Sequence, residues 1–567
     1  MNRRHVVMVT YLIVVYAAIH SASIALSANF SEGQNRAVKF GVHEIVLMGE
    51  SNVANPFDTI SSVTFTPPSG AQFAKTVHTF FDGDGTWRAR IYASEIGQWT
   101  WSATSATDRR LNGQNGTFNV AASHLRGRLL PHPQNARQWI TEDGRWFLNI
   151  NDTAYFLLCR QDGNGTPVSE DDVARYMRDD TARGITSIRC FLASQKGGFT
   201  ESNQQWKDWY FEDATFDRLQ LANLKSADRR LRWLLDEYPD IAVQLIMFPL
   251  EGYAQDDRFW TALTAKQRER LLRNLVARFA AFPQLFWLGT NDAHYSEKHP
   301  NSNAMAREVG RYLQQYDPWQ HPRSTGHARR LPFYFGKEDW ATYVHIEHAH
   351  DLGAQQYAVY HDLNKPVFLG EDRYEQDRVN LDPLHMRYWQ RRLFWAWLLS
   401  GGSTNYGGRW WTVHPYSESG ARPAIYNRRP ENTFRQLLAG LDSVRFIRDF
   451  FQQRSVDLGE FEPDHALVED LNGQNDADAP KLMRRHMDEF LIYHPNADGN
   501  ERAANVNSTR TVRMRLDLRL ATGQFNLEWY RAEDGQTQDG GKIFGGARQE
   551  LTAPWSGADI VALLRQR

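Results

Sequence analysis

The chain has 567 residues, with 65 Lys and Arg against 67 Asp and Glu and a formal charge of -2. That balance gives no electrostatic ground for nucleic acid as a partner and suits a neutral ligand. The length exceeds the roughly 250–300 residues at which a single core stops growing, which excludes a one-core protein and predicts two or three domains.

At the N-terminus, Arg3, Arg4 and His5 precede an apolar run from Val6 to Ile19 that closes in small residues around Ser23, Ala25 and Ala28. This is the pattern of a secretory signal peptide over residues 1–28; an uncleaved anchor extending through Leu26 is the other reading. Secretion or delivery to a periplasm is expected, with no stable membrane partner once the signal is removed. The cysteines are Cys159 and Cys190, too few for a disulfide framework, and both read as core residues.

Residues 36–122 alternate short β-rich runs with turn signals. Between Thr86 and Tyr92, Trp87, Ala89 and Ile91 fall on one face and Arg88 and Arg90 on the other, the period of a half-buried strand. Asp82-Gly83 and Asp84-Gly85 supply the turn before it. An immunoglobulin-like β-sandwich is expected here. Residues 123–135, with Pro131 and Pro133, read as a linker.

Over residues 136–455, short apolar runs alternate with helical stretches, the pattern of repeated βα units. Candidate strands fall at 146–152, 185–191, 241–248, 285–292, 323–327, 341–348, 366–371 and 402–408. One intervening helix is opened by Ser169 as N-cap and closed by Gly184 as C-cap; another spans 265–282 with leucines and alanines recurring at three and four residues. The chain turns β-rich again over 460–567, with turns at Asn496–Gly499 and Glu533–Gly535. The expected fold class is α/β, a (β/α)8 TIM barrel flanked by N-terminal and C-terminal β-sandwich domains.

Reactive groups of such a barrel sit at the C-terminal ends of its strands. Read there, the candidate strands offer Asp152, Arg189, Asn291 and Asp292, His327, Glu347 and His348, Glu371, and Asn405 with Tyr406. Asp292 closes an apolar run beginning at Leu285 and Glu371 one beginning at Pro366, so both acids belong to strand ends. Glycoside hydrolysis needs such a pair, an acid at the leaving oxygen and an anion or base near the anomeric carbon. Asp292 is assigned as acid/base and Glu371 as nucleophile; carboxyls about 5–5.5 Å apart would imply a covalent intermediate and retention. Arg189 would hold the nucleophile ionised, or form a structural ion pair. Asp152 suits a substrate hydroxyl, or a helix cap. His327, His345 and His348 are expected hydrogen-bonding groups around the sugar, Asn405 and Tyr406 complete the binding ring, and Trp410 offers a sugar platform. No metal or other cofactor is expected. There is no H-E-x-x-H motif, and His345 and Glu347 alternate in face with His348 and His350 on a strand.

The succession of TFFDGDGTWRARIYASEIGQWTWSA, TEDGRWFLNINDTAY, LFWLGTND, HPRSTGH, KPVFLGED, RRLFWAWLLSGGSTNYGGRWW and APWSGADIVALL resembles the apiosidase-like glycoside hydrolases over nearly the whole mature chain. The resemblance implies a retaining barrel with catalytic acids on its fourth and seventh strands, and a C-terminal domain of the kind labelled collagen-binding. It also implies that Asn291 hydrogen-bonds the substrate 2-hydroxyl. The wider clan ends strand four in Asn-Glu; Asn291-Asp292 sets the carboxyl back by about one methylene, and apiosidase-like members share the Asp and Glu pair. The function implied is cleavage of an oligo- or polysaccharide or its side chains. The alternative is a non-catalytic carbohydrate- or matrix-binding protein on a glycosidase fold.

Overall fold

The computed structural model describes residues 29–33, 35–162, 167–193, 210–248, 258–291, 293–327, 332–347, 353–371, 383–407, 439–473, 478–498 and 505–566. The signal peptide expected over 1–28 lies outside them. Among the described residues, no helix is long and apolar enough to cross a membrane.

The N-terminal strands form two sheets. One runs Phe30–Glu32, Val42–Met48, Thr86–Tyr92, Phe80–Gly83; the other runs Arg36–Val38, Asn115–Ala121, Gly97–Ser105, Ser61–Thr66, Lys75–His78. Trp87, Ala89 and Ile91 are buried between them, as the period of two predicts. Arg90, on the opposite face, is equally buried. Its guanidinium enters the barrel's helical layer, donating from Nη2 to Asp228 at 2.7 Å, while Nε donates to Glu44 at 2.7 Å. A face that reads as solvated in the sequence is therefore a domain interface.

Residues 123–135 form no free linker. Leu129–Pro131 pairs antiparallel with Trp139–Thr141, and the Trp139 ring packs 6.3 Å from Phe286 and 5.9 Å from Tyr343, centroid to centroid. The hairpin plugs the N-terminal end of the barrel. Its prolines suggest a breaker, but Pro131 sits at a strand end, where its missing N–H costs little.

The barrel strands are β1 (Ile150–Thr153), β2 (Ser187–Phe191), β3 (Ala242–Phe248), β4 (Leu285–Thr290), β5 (Arg323–Ser324), β6 (Val344–Glu347), β7 (Val367–Glu371) and β8 (Ser403–Tyr406). They form one parallel eight-stranded sheet in the order β5-β4-β3-β2-β1-β8-β7-β6. The β5–β6 seam is drawn together just ahead of β6, where Thr342 N–H donates to Arg323 O and Arg323 N–H to Thr342 Oγ1, each at 2.8 Å. The first strand starts later than expected because Phe147 N–H donates to Trp139 O at 3.0 Å, which ties that stretch to the plug. Within each strand, alternate side chains face opposite layers. Phe191, Ala242, Ile246, Phe286, Leu288 and Phe368 fill the barrel interior, whereas Ile188 and Cys190 pack toward the helices.

The helix Glu170–Ala182 carries the predicted Ser169 cap, whose Oγ accepts from Asp172 N–H at 3.1 Å in a full capping box. Arg183, not Gly184, is its C-cap; Gly184 follows at φ +96°, the left-handed position that ends many helices.

Beyond the barrel, a six-stranded sheet and a three-stranded sheet span Glu462 to Gln566. They meet the barrel helix Pro383–Leu398 through buried polar contacts. Arg391 donates to both Asp559 oxygens at 2.8–3.0 Å and Tyr493 Oη to Asp559 at 3.1 Å.

Candidate active site

Arg189, the inward-facing middle residue of β2, binds groups from β6, from β7 and from the residue that follows β4. Its Nη1 donates to Glu371 Oε2 at 2.9 Å and to Gly370 O at 3.0 Å. Its Nη2 donates to Asn291 Oδ1 and, at 3.2 Å, to Glu347 Oε1. The Arg189 and Glu347 side chains are wholly buried and Glu371 is 2% exposed. The Tyr155 phenol, in the turn after β1, also donates to Glu371 Oε2 at 2.9 Å. Its ring stacks on Phe191 at 4.4 Å with 5° between planes, and the Arg189 guanidinium lies 5.3 Å from its centroid.

A bulge aims Glu371 at this cluster. Phe368 faces the interior, so strict alternation would turn Glu371 outward. Instead, the β6–β7 register advances from Ile346 opposite Leu369 to Glu347 opposite Glu371, which leaves Gly370 as the extra residue. Glycine is required there, because a Cβ would lie 1.8 Å from His345 Cε1.

A second chain of hydrogen bonds supports Glu347 from below. Tyr343 Oη donates to Trp287 O at 2.9 Å, and Gln244 Nε2 donates to Tyr343 Oη at 3.0 Å and to His345 Nδ1 at 3.3 Å. Because His345 Nδ1 accepts from an amide, its proton sits on Nε2, which donates to Glu347 Oε1 at 3.1 Å. Burial, followed by the nearby Arg189 charge, pushes the imidazole well below its ordinary pKa. His345 is therefore a neutral donor.

Of the residues expected at the site, Arg189, Asn291 and Glu371 come together directly. Asn405 faces the same interior, its Nδ2 donating to Thr153 Oγ1 at 2.6 Å. His327 is buried just past β5, its ring 5.6 Å from that of Tyr295; the Tyr295 hydroxyl bonds Thr290 Oγ1 at 2.5 Å and Thr325 Oγ1 at 2.6 Å. Asp152 and Tyr406 are placed otherwise. They are register partners across β1 and β8 and lie on the helix side, where Asp152 Oδ2 accepts from Tyr176 Oη at 2.6 Å and Tyr406 joins the helix-packed core. Position along a strand predicted them at the mouth; parity across the strand turns them away. Asp292, His348 and Trp410 lie outside the described residues, as does most of the aromatic stretch between 193 and 215. Sequence reasoning assigned no role to Tyr155, Gln244 or Glu347, although Glu347 was visible as a strand-end acid.

Residues 133–457 match the family described as "Apiosidase-like, catalytic domain", and residues 36–106 match a domain of unknown function, DUF5060. Neither match reaches the C-terminal sheets. Among solved structures, the chain is similar to a protein of Bacteroides vulgatus ATCC 8482 assigned as a glycoside hydrolase. The TM-score is 0.66 at 16% identity, over 94% of this chain and 100% of that one. It is also similar to a family 5 glycoside hydrolase from the same organism, with a TM-score of 0.56 at 15% identity over 78% and 93% of the two chains. At such identities the likeness is one of fold. No protein of curated function matches the chain.

Proposed function

The chain belongs to the apiosidase-like family of glycosidases, and on that premise we propose that it is an exported, retaining glycoside hydrolase with Glu371 as nucleophile and Asp292 as acid/base. The observation that carries this reading is the buried Glu371 carboxylate held through Oε2 by both Arg189 and Tyr155. Two donors, one of them cationic, favour the anion that must attack an anomeric carbon.

In the first step, Glu371 attacks the anomeric carbon as the bond to the leaving oxygen breaks, and Asp292 gives that oxygen its proton. In the second, Asp292 takes a proton from water, whose oxygen displaces the Glu371 ester and frees the sugar. Asn291 Oδ1 is committed to Arg189, while its buried Nδ2 has no hydrogen-bond partner among the described residues. That amide is left to donate to a sugar hydroxyl. The substrate is an oligo- or polysaccharide or its side chains, and a terminal apiosyl unit is the first candidate.

The test is turnover of a panel of 4-nitrophenyl glycosides and plant cell-wall oligosaccharides, apiosyl-bearing ones included. Glu371→Gln is expected to abolish turnover and Asp292→Asn to lower it by roughly 10²–10⁴-fold on substrates with poor leaving groups. Proton NMR of the first product should show the substrate's anomeric configuration. An inverted product would refute retention, and an active Glu371→Gln enzyme would refute the nucleophile assignment.

A further inference from the structure

Arg189 is shared. Its Nη1 side serves Glu371 and its Nη2 side serves Glu347 and Asn291, so one buried cation faces two buried carboxylates from adjacent strands. Glu347 is not an incidental neighbour. The bulge at Gly370 sets it directly opposite Glu371, and the neutral His345 donates to the same Oε1 that Arg189 binds. Gln244 and Tyr343 fix that imidazole in turn. Such an apparatus is more than one ion pair needs, and it commits part of the Arg189 charge away from Glu371.

We propose that Glu347 is a positioning residue that holds Arg189 in its forked pose and, by competing for its charge, sets the pH at which Glu371 ionises. The inference rests on Glu371 being the nucleophile. The groups facing Glu371 among the described residues are Arg189 from β2, Tyr155 from the turn after β1, and Glu347 and His345 from β6. Tyr295 stands within electrostatic reach of Glu347. Removing the Glu347 charge while keeping its shape therefore leaves the same cation with one anion fewer to balance. Glu371 should then lose its proton at lower pH, because a like charge has gone and the opposite charge is less divided.

The experiment is the pH profile of kcat/KM, on whichever 4-nitrophenyl glycoside the wild-type enzyme turns over, for wild type, Glu347→Gln and His345→Gln. Glu347→Gln should shift the acidic limb down by about 1 pH unit while the plateau stays within about tenfold of wild type. His345→Gln keeps a donor toward Glu347 and changes no charge at neutral pH, so its acidic limb should stay in place. If Glu347→Gln does not fold, Glu347→Asp serves, since its carboxylate retreats by a methylene; it should move the limb in the same direction by less. An acidic limb that stays put in a folded, active Glu347 variant overturns the proposal and leaves the nucleophile assignment standing. If Glu371→Gln keeps wild-type turnover, the functional reading itself falls, and this proposal with it.

Discussion

Taking a guanidinium and two carboxylates out of water costs several kcal/mol per ion, and only close hydrogen-bonded geometry recovers it. Arg189 meets that demand with bonds of 2.9 and 3.2 Å to Glu371 and Glu347 and with Tyr155 closing on the same Glu371 oxygen. Tyr155→Phe removes one hydrogen bond to a charged acceptor, a loss of about 1.5–3 kcal/mol. If that bond counts in the transition state, kcat/KM should fall roughly 10- to 100-fold, and because the ring still stacks on Phe191, the melting temperature should fall only by the few degrees that one hydrogen bond carries. A large drop in melting temperature with unchanged kcat/KM would make Tyr155 a packing residue only. Much of this cluster was legible in advance. Arg189, Asn291 and Glu371 each end or interrupt an apolar strand, and a polar group there must find a partner or a ligand. Asp152 and Tyr406 met the same criterion and yet face the helices, because the choice of inward parity belongs to the closed sheet and not to a four-residue strand.

At the scale of single elements, the plug hairpin and the Gly370 bulge shape the barrel's two ends. Trp139 caps the interior core at the N-terminal end, against Phe286 and Tyr343. Trp139→Ala is expected to cost about 3–5 kcal/mol by the usual penalty for deleting a buried aromatic, read as a shift in the denaturant midpoint. A shift equivalent to less than about 1 kcal/mol would mean the hairpin is peripheral. Residues 123–135 read as a linker because their prolines advertise chain breaks locally, while the pairing that buries Leu129 and Trp139 joins residues on both sides of the break. The bulge was equally hidden, since Gly370 in a strand signals only that something approaches closely. That something is His345, brought from another strand.

For the molecule as a whole, charged side chains tie the sandwiches to the barrel. Against the cost of burial, Arg90, Arg278 and Arg232 hold the Asp228 carboxyl well below the usual carboxylate range. Asp228 in turn binds Arg90 at 2.7 Å across the domain boundary and, within the barrel's helical layer, Arg278 at 3.2 Å, which itself reaches Asp82 of the N-terminal strands at 2.7 Å. Asp228→Ala should take one carboxylate from each of these cations, which keep Glu44, Asp82 and Glu32 as partners, and cost about 1.5–3 kcal/mol. The sign of the pH effect follows from linkage: a depressed native pKa contributes stability above the unfolded value of about 3.9 that is lost as pH falls below it. Wild type should therefore lose melting temperature steeply below about pH 4, whereas the variant starts lower and declines less. Parallel curves would show that Asp228 does not couple the domains. Eight βα units, the two flanking sets of strands, the Ser169 cap and most strand-end polar residues follow from local periodicity and hydrogen-bonding needs, which a sequence carries residue by residue. The facing of Asp152, the aim of Glu371, the sharing of Arg189 and the burial of Arg90 were decided only in three dimensions. Each depends on groups from separate elements meeting away from water, where partners and parity are set by how the sheet closes and how the domains pack.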